Sequence, residues 1–539
     1  MLDIVILNGT VVDGSGLPAR RADVAVKDGK IASVGDLSAA EAKTVLDANG
    51  LFVCPGFIDM HSHSDLSLMA HRRGESSISQ GITTEVIGSC GWSMAPVKEE
   101  TKKSVLKGLL SGLVHKEAFE SLDWSWHSFG QFMEALEKSG IGVNVAPQVG
   151  QSLIRAHVVG TEKRDAAPGE VEAMKALVRQ AMEDGAWGLS TGRSYRPGGF
   201  AGEDEVIELA KVVAGYDGIY ATHMKNEGEE IFAAVDEVIS IAEKAEVKAE
   251  ISHHKAVGRK NFGKVGRTLE MIQKARARGS RITVDAYPYE FAQASSLVRM
   301  LPPAIWQQLK SGKAEGEFPT EDEIRAALSD KATLEKVKGI PELATASQRL
   351  GNYVIVKAPS SLAVQGRILE DVAAETGKSP VELIIELVVA DGMDVWAAWP
   401  ISIDDVHTVI QADFAMGGTD GFALDTPIST AVHPRHYGTF PRIVGRFVTQ
   451  DRLFSLEEAV RKVTHNPATV MGIPGRGLVE AGYWADLVVF DAAKLMDLAT
   501  GLEPFRRAAG IEYVLVNGKV TLEKGTVKPA FAGQVLRKG

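Results

Sequence analysis

Eight short apolar runs, most of them followed by a helical stretch, constrain this chain more tightly than any other feature. The runs span residues 51–60, 83–87, 143–149, 187–190, 219–222, 249–252, 282–286 and 414–418. Helical patterns lie between most of them, for example over 171–183, 231–245 and 268–278. Short buried strands alternating with helices predict an α/β fold, a closed parallel (β/α)8 barrel of the TIM type. The seventh and eighth runs are unusually far apart. Their gap carries a lysine- and glutamate-rich segment over 310–338 and a further strand-like run at 353–357, which predicts an insertion of about 291–360 between the last two barrel strands.

The two ends of the chain have a different rhythm. Apolar runs at 4–7, 10–12, 23–27 and 31–34 are separated by Asn8-Gly9, Asp13-Gly14 and Asp28-Gly29. Runs at 486–490, 512–516 and 520–522 follow the same pattern, with Asn517-Gly518 between the last two. Asn-Gly and Asp-Gly between apolar runs signal tight hairpins, since both turn residues tolerate positive φ. Each end is too small to bury a core alone. The expectation is one small β-sandwich built from 1–53 and 473–539, flanking a catalytic barrel over 54–472.

Charge and cysteine content exclude several function classes. Lys and Arg number 59 against 70 Asp and Glu, a formal charge of -11, which argues against a nucleic-acid partner. Only Cys54 and Cys90 are present, so no disulfide framework exists. The start, MLDIVILNG, lacks the basic and apolar regions of a signal peptide, and no run approaches 18 uncharged apolar residues. A soluble, cytoplasmic protein with no membrane partner is expected; neither the substrate nor the oligomeric state is encoded in these features.

Metal-capable side chains fall at the carboxyl ends of the expected strands. His61 and His63 follow the first, Cys90 the second, His223 the fifth, His253 the sixth and Asp420 the eighth. Barrel active sites form at that edge, where side chains distant in sequence converge. In extended backbone i and i+2 share a side, so His61 and His63 are able to meet one ion. Four histidines, a thiol and a carboxylate form a set suited to zinc. Asp420 has two roles open to it, weak ligation and proton transfer from metal-acidified water to a leaving amine. Cys54 reads as packing, His254 as turned away from His253, His465 as structural, and His433 as a residue of the site wall or of the core.

These residues resemble the amidohydrolase superfamily and, within it, the N-acyl-D-amino-acid deacylase (D-aminoacylase) family. The resemblance runs through PGFIDMHSHSD, GSCGWSMAP, GLSTGRSYRPGGFA, THMKNEG, ISHHKAVGRKNFGK, DAYPY, GTDG, HPRHYGTFPRIVGR and THNPATVMGIPGRGLVEAGYWADLVVFD. It implies a metal-dependent hydrolase barrel with one tightly held zinc on Cys90, His223 and His253. A second, weaker site would use His61, His63 and Asp420. Related hydantoinases bridge two metals with a carboxylated lysine after the fourth strand; GLSTGRSY offers none, so Cys90 would supply the bridge. The implied reaction is hydrolysis of an N-acyl-D-amino acid to a carboxylate and a free D-amino acid, with Asp420 as general base and acid. Tyr195 and Lys255 match positions that line the family's substrate site, and Tyr287 and Arg435 are further candidates to bind substrate.

Two departures bear on specificity. The family's Gly-His after the third strand is Gly150-Gln151 here, and 396–406, WAAWPISIDDV, differs from the pattern expected before the last strand. The same metal set would also serve cyclic amides, lactones or D-terminal dipeptides. A barrel reduced to an interaction scaffold should lack strand-end ligands, whereas this chain keeps all six.

Overall fold

The computed structural model describes residues 1–99, 102, 124–302, 304–305, 320–427 and 433–539. Eight parallel strands form the barrel: Phe57–Asp59, Ile82–Ile87, a third in two pieces (Asn144–Pro147 and Val149–Gly150), Gly188–Gly192, Ile219–His223, Lys248–Ile251, Ile282–Ala286 and Ala415–Gly417. The first strand closes on the eighth: Met60 donates to the Gly417 carbonyl at 3.2 Å, and His63 to that of Gly421 at 2.8 Å. Every strand is buried along its length except at Lys248, as expected of a sheet covered on both faces.

The helices between strands follow their sequence signals. Pro168–Glu183 begins with proline at its first turn, and the Glu170 carboxylate accepts from the Ala167 amide at 2.8 Å. Ile231–Ala245 buries Ile231, Val235, Val238 and Ala242, one apolar stripe facing the barrel.

Both chain ends build two further sheets. One has the order Lys30–Gly35, Asp23–Lys27, Leu2–Leu7, Ala42–Asp47. The other joins Thr526–Val527, Lys519–Glu523, Ile511–Val516, Leu487–Phe490, Phe52–Pro55, Thr10–Val11 and Arg20–Arg21. Ile4, Ile6, Val24, Val26, Val53, Leu487, Val489 and Leu515 fill the space between them. Asp28-Gly29 and Asn517-Gly518 are hairpin turns with positive φ at both residues. Asn8-Gly9 is not: Leu2–Leu7 and Thr10–Val11 belong to different sheets, so this dipeptide carries the chain across the sandwich.

The run at 51–60 is two strands rather than one. Phe52–Pro55 pairs with Leu487–Phe490 in the sandwich, and Phe57–Asp59 enters the barrel. Gly56 separates them, packed so closely that a Cβ there would lie 2.2 Å from Thr83 Oγ1. The sandwich therefore reaches two residues beyond 53. At the other end, Val535 bridges back to Val145 of the third barrel strand.

The segment between the last two barrel strands is also longer than 291–360. Its antiparallel sheet has Trp396–Ala398 as the central strand, between Ser295–Ser296 and Val354–Lys357. The layer cannot end before that strand. Leu297, Ile324, Leu350, Ile355, Leu383, Ile384 and Ala397 give it a core of its own. Residues 303 and 306–319, within the expected insertion and its charged stretch, lie outside the described residues.

A buried polar network welds barrel to sandwich. Asn144 of the third strand donates to the Thr83 carbonyl at 3.0 Å and to Asp486 at 3.2 Å. Asn517 donates to Asn144 Oδ1 and to the Ala532 carbonyl, both at 2.7 Å. Arg476 ion-pairs with Asp486 and donates to Asn517 Oδ1 at 2.8 Å. Removing one member of a buried charge pair strands the other, a loss of about 3–5 kcal/mol. Asp486→Ala should therefore lower the midpoint of thermal unfolding markedly, read by circular dichroism; a wild-type midpoint would contradict this network's role.

Candidate metal centre

The six expected donors meet in the barrel mouth. His61 Nε2 lies 3.4 Å from Cys90 Sγ and 3.5 Å from Asp420 Oδ1. His253 Nε2 lies 3.4 Å from Cys90 Sγ and 2.9 Å from His223 Nδ1. His63 Nε2 is 3.1 Å from Asp420 Oδ1. One ligand atom from each of His61, Cys90, His253 and Asp420 falls within 4.8 Å of the others. All four residues are buried, as is His223.

Backbone strain aims three of these donors. Cys90, His253 and Asp420 have φ of 53°, 38° and 49°, the left-handed region that side-chain-bearing residues rarely adopt. Each follows a barrel strand, so the turn swings its side chain into the mouth instead of letting it continue the strand's alternation. Such strain clusters at functional sites, where the surrounding structure holds it in place. Around Cys90 the backbones pack directly: a Cβ on Gly192 would sit 2.3 Å from the Cys90 carbonyl oxygen.

Second contacts orient the rings. His61 Nδ1 faces Asp285 at 3.2 Å, which leaves its Nε2 lone pair toward Cys90. His253 Nδ1 faces both Glu227 at 3.0 Å and Lys255 Nζ at 2.9 Å, with its Nε2 toward Cys90 and His223. Burial opposes ionisation of Cys90, yet His61 and His253 outweigh it and hold the thiol well below its usual range. A thiolate, four imidazole nitrogens and a carboxylate facing one another in a largely buried mouth form the donor set of a borderline-soft divalent cation. The residues present fit a zinc-type metal.

Beside the donors lies a cationic and hydroxylic wall. Lys255 Nζ pairs with Glu227 at 2.6 Å, and Arg435 reaches Asp420 Oδ2 at 2.5 Å and Gln293 at 2.8 Å. The Arg435 guanidinium lies 5.1 Å from the Tyr287 ring centre. Burial pushes the Tyr287 phenol up to about 12, and its hydroxyl is buried with no partner among the described residues. Tyr195 Oη lies 3.3 Å from His223 Nδ1. A cavity of about 680 Å³ opens outward from His223, walled by Met224, Glu227, Val257, Ala292 and Trp399.

A family model described as the amidohydrolase family matches residues 44–294 and 320–522. The chain belongs to the amidohydrolase family. A D-aminoacylase from Alcaligenes xylosoxydans xylosoxydans is 37% identical over 536 residues, 99% of this chain and 98% of that protein. An N-acyl-D-aspartate deacylase from the same organism is 33% identical over 538 residues, 100% and 95% of the two chains. The solved structure of N-acyl-D-glutamate deacylase from Bordetella bronchiseptica, complexed with zinc and a phosphonate inhibitor, matches with a TM-score of 0.78 at 31% identity over 99% of both chains.

The site of this amidohydrolase also holds residues that the sequence motifs did not single out. Asp285 follows the same strand-end rule as the donors and could have been found by it. Glu227 sits four residues past His223 in a loop, with no spacing signal of its own. Gln293 and Glu250 are recognisable only in three dimensions; Glu250 lies with Asp285 behind His61. His254 turns away as expected, bonding Thr268 at 2.8 Å, and burial lowers its pKa to about 4. Cys54 is buried in the sandwich sheet. Gln151 is buried against Glu205 at 3.3 Å, and Trp399 of the divergent 396–406 segment lines the cavity.

Burial opposes ionisation of Glu227, but Lys255, His223 and His253 outweigh it and keep the carboxyl well below its usual range. As an anionic partner of His253 it should tune metal affinity, whereas Cys90 should decide whether metal is held at all. Glu227→Gln should weaken metal binding by roughly 10–100-fold, and Cys90→Ala should purify without the tight metal. Metal analysis of both variants checks this, and full wild-type occupancy in Cys90→Ala would contradict the assignment.

Proposed function

We propose that this amidohydrolase hydrolyses the amide bond of N-acyl-D-amino acids, releasing a carboxylate and a free D-amino acid, with zinc as its metal. The observation that carries this reading is the buried meeting of six donors beside a wall bearing Lys255, Tyr287 and Arg435. Cys90, His223 and His253 would hold a tight ion, and His61, His63 and Asp420 a second, weaker one. When bound, zinc supplies Lewis acidity toward the acyl carbonyl and toward the attacking water.

The chain's own groups do the rest. A free α-carboxylate on the substrate is matched by the Arg435 fork and by Lys255, and it would give the unpartnered Tyr287 hydroxyl its acceptor. Tyr195 adds a phenolic hydroxyl beside His223, within reach of a bound substrate. Burial raises the Asp420 carboxyl, but Arg435, His253 and His63 outweigh it and keep Asp420 ionised, in the state that accepts a proton. Asp420 takes that proton as the water oxygen bonds to the acyl carbon, and returns it to the amide nitrogen as the C–N bond breaks. D-selectivity is supported by the relatives, whose names specify D substrates. A reducing, cytoplasmic setting suits a centre that rests on a free thiol; both cysteines are free, and no described helix is long and apolar enough to cross a membrane.

The test is kinetic and chiral. Metal-replete enzyme given racemic N-acetyl-amino acids should release only the D product, by chiral chromatography. Asp420→Asn should keep its tight metal yet lose at least about 100-fold in kcat, the range of general acid–base catalysis. Release of L product, or an Asp420→Asn variant with wild-type kcat, would refute the assignment.

A further inference from the structure

His433 contacts none of the metal donors, yet it is fully buried and makes two hydrogen bonds. Its Nδ1 accepts from the Arg435 backbone amide at 3.1 Å, which fixes that nitrogen as the unprotonated one. Its Nε2 therefore carries the proton and donates to the Phe291 carbonyl at 3.0 Å. Residues 287–291 run outward from the seventh strand, and Tyr287, Tyr289 and Phe291, at i, i+2 and i+4, all face this imidazole. Their ring centres lie 5.8, 5.5 and 4.4 Å from it. Burial and the neighbouring Arg435 both disfavour a second proton on the ring, so the clip stays neutral.

The two chain segments joined here are the ones that carry the substrate-facing groups. One bears Arg435, the other Tyr287 and Gln293, and Gln293 takes a second guanidinium hydrogen bond at 2.8 Å. Without the clip, the Arg435 guanidinium would be held by Asp420, which draws it toward the reacting centre, by the exposed Gln293 and by the Tyr287 ring, with nothing tying its backbone to the 287–291 segment. We propose that His433 is a positioning residue: by fastening the Arg435 amide to the Phe291 carbonyl, it sets where the guanidinium and the Tyr287 hydroxyl meet a substrate carboxylate. This rests on the deacylase reading for the ligand and on geometry alone for the clip.

The experiment uses full-length, metal-loaded wild type, His433→Phe, His433→Asn, Arg435→Met and the His433→Phe/Arg435→Met double variant. Each is assayed on an N-acetyl-D-amino acid and on its carboxamide, which lacks the carboxylate. His433→Phe should raise KM for the acid by about 10-fold with kcat changed less than about 3-fold and metal content intact. Its preference for acid over amide should fall by a similar factor. His433→Asn keeps an acceptor for the Arg435 amide but cannot span to Phe291; it should shift the same way by a smaller factor, and it serves if the Phe variant fails to fold. The double variant should be no worse than Arg435→Met alone. Equal losses on acid and amide, additive losses in the double variant, or loss of metal would overturn the proposal. Hydrogen exchange at the Arg435 amide separates the two claims. If wild type cleaves neither compound the deacylase reading fails, while faster exchange in His433→Phe still supports the clip and unchanged exchange refutes it.

Discussion

Everything at the mouth of this barrel depends on electron-rich atoms being forced to face one another out of water. Cys90 Sγ has two imidazole nitrogens at 3.4 Å, and His223 and His253 present nitrogens to each other at 2.9 Å. Lone pairs held this way repel unless a proton or a cation lies between them, and a buried polar group without a partner is costly. Left-handed backbone at Cys90, His253 and Asp420 adds strain in the same place. The fold tolerates this because each donor sits at or just past the end of a buried barrel strand, so rigidity comes from the barrel and reactivity from its rim. A divalent ion would turn the mutual repulsion into coordination.

The rim is not self-sufficient. Arg435 arrives from beyond the eighth strand, and its second partner, Gln293, belongs to the segment leading into the inserted layer. That layer is also fastened to the loop after the sixth strand: Arg259 pairs with Asp371, and Gly258 donates to the Pro400 carbonyl at 2.9 Å. The cationic wall is thus placed by contacts between loops, while the metal-capable side chains are placed by strands. Mutations in the insertion should accordingly act on substrate binding before they act on metal content.

Much of this was legible in the sequence because the barrel places its donors by a local rule. A histidine, cysteine or aspartate just past a buried run must emerge at the carboxyl edge, and His61, His63, Cys90, His223, His253 and Asp420 all did. Turn chemistry was legible at Asp28-Gly29 and Asn517-Gly518 but misleading at Asn8-Gly9. Positive φ is equally useful for a hairpin and for crossing between sheets, and only the pairing of the flanking strands distinguishes them. The insertion's true extent was hidden because its central strand, Trp396–Ala398, is only three residues long. Glu227 and Gln293 carry no sequence signal for a related reason, and His433 showed only as a residue of the site wall or core, without its partner. Their roles are contacts across 26 to 142 residues, and no periodicity encodes such pairings.

The central claim is that a cysteine thiolate and histidines together hold the metal, and X-ray absorption at the zinc edge of the metal-loaded protein tests it most directly. The account predicts one sulfur scatterer at about 2.3 Å together with nitrogen scatterers near about 2.0–2.1 Å. A first shell of nitrogen and oxygen alone, with no sulfur, would contradict it.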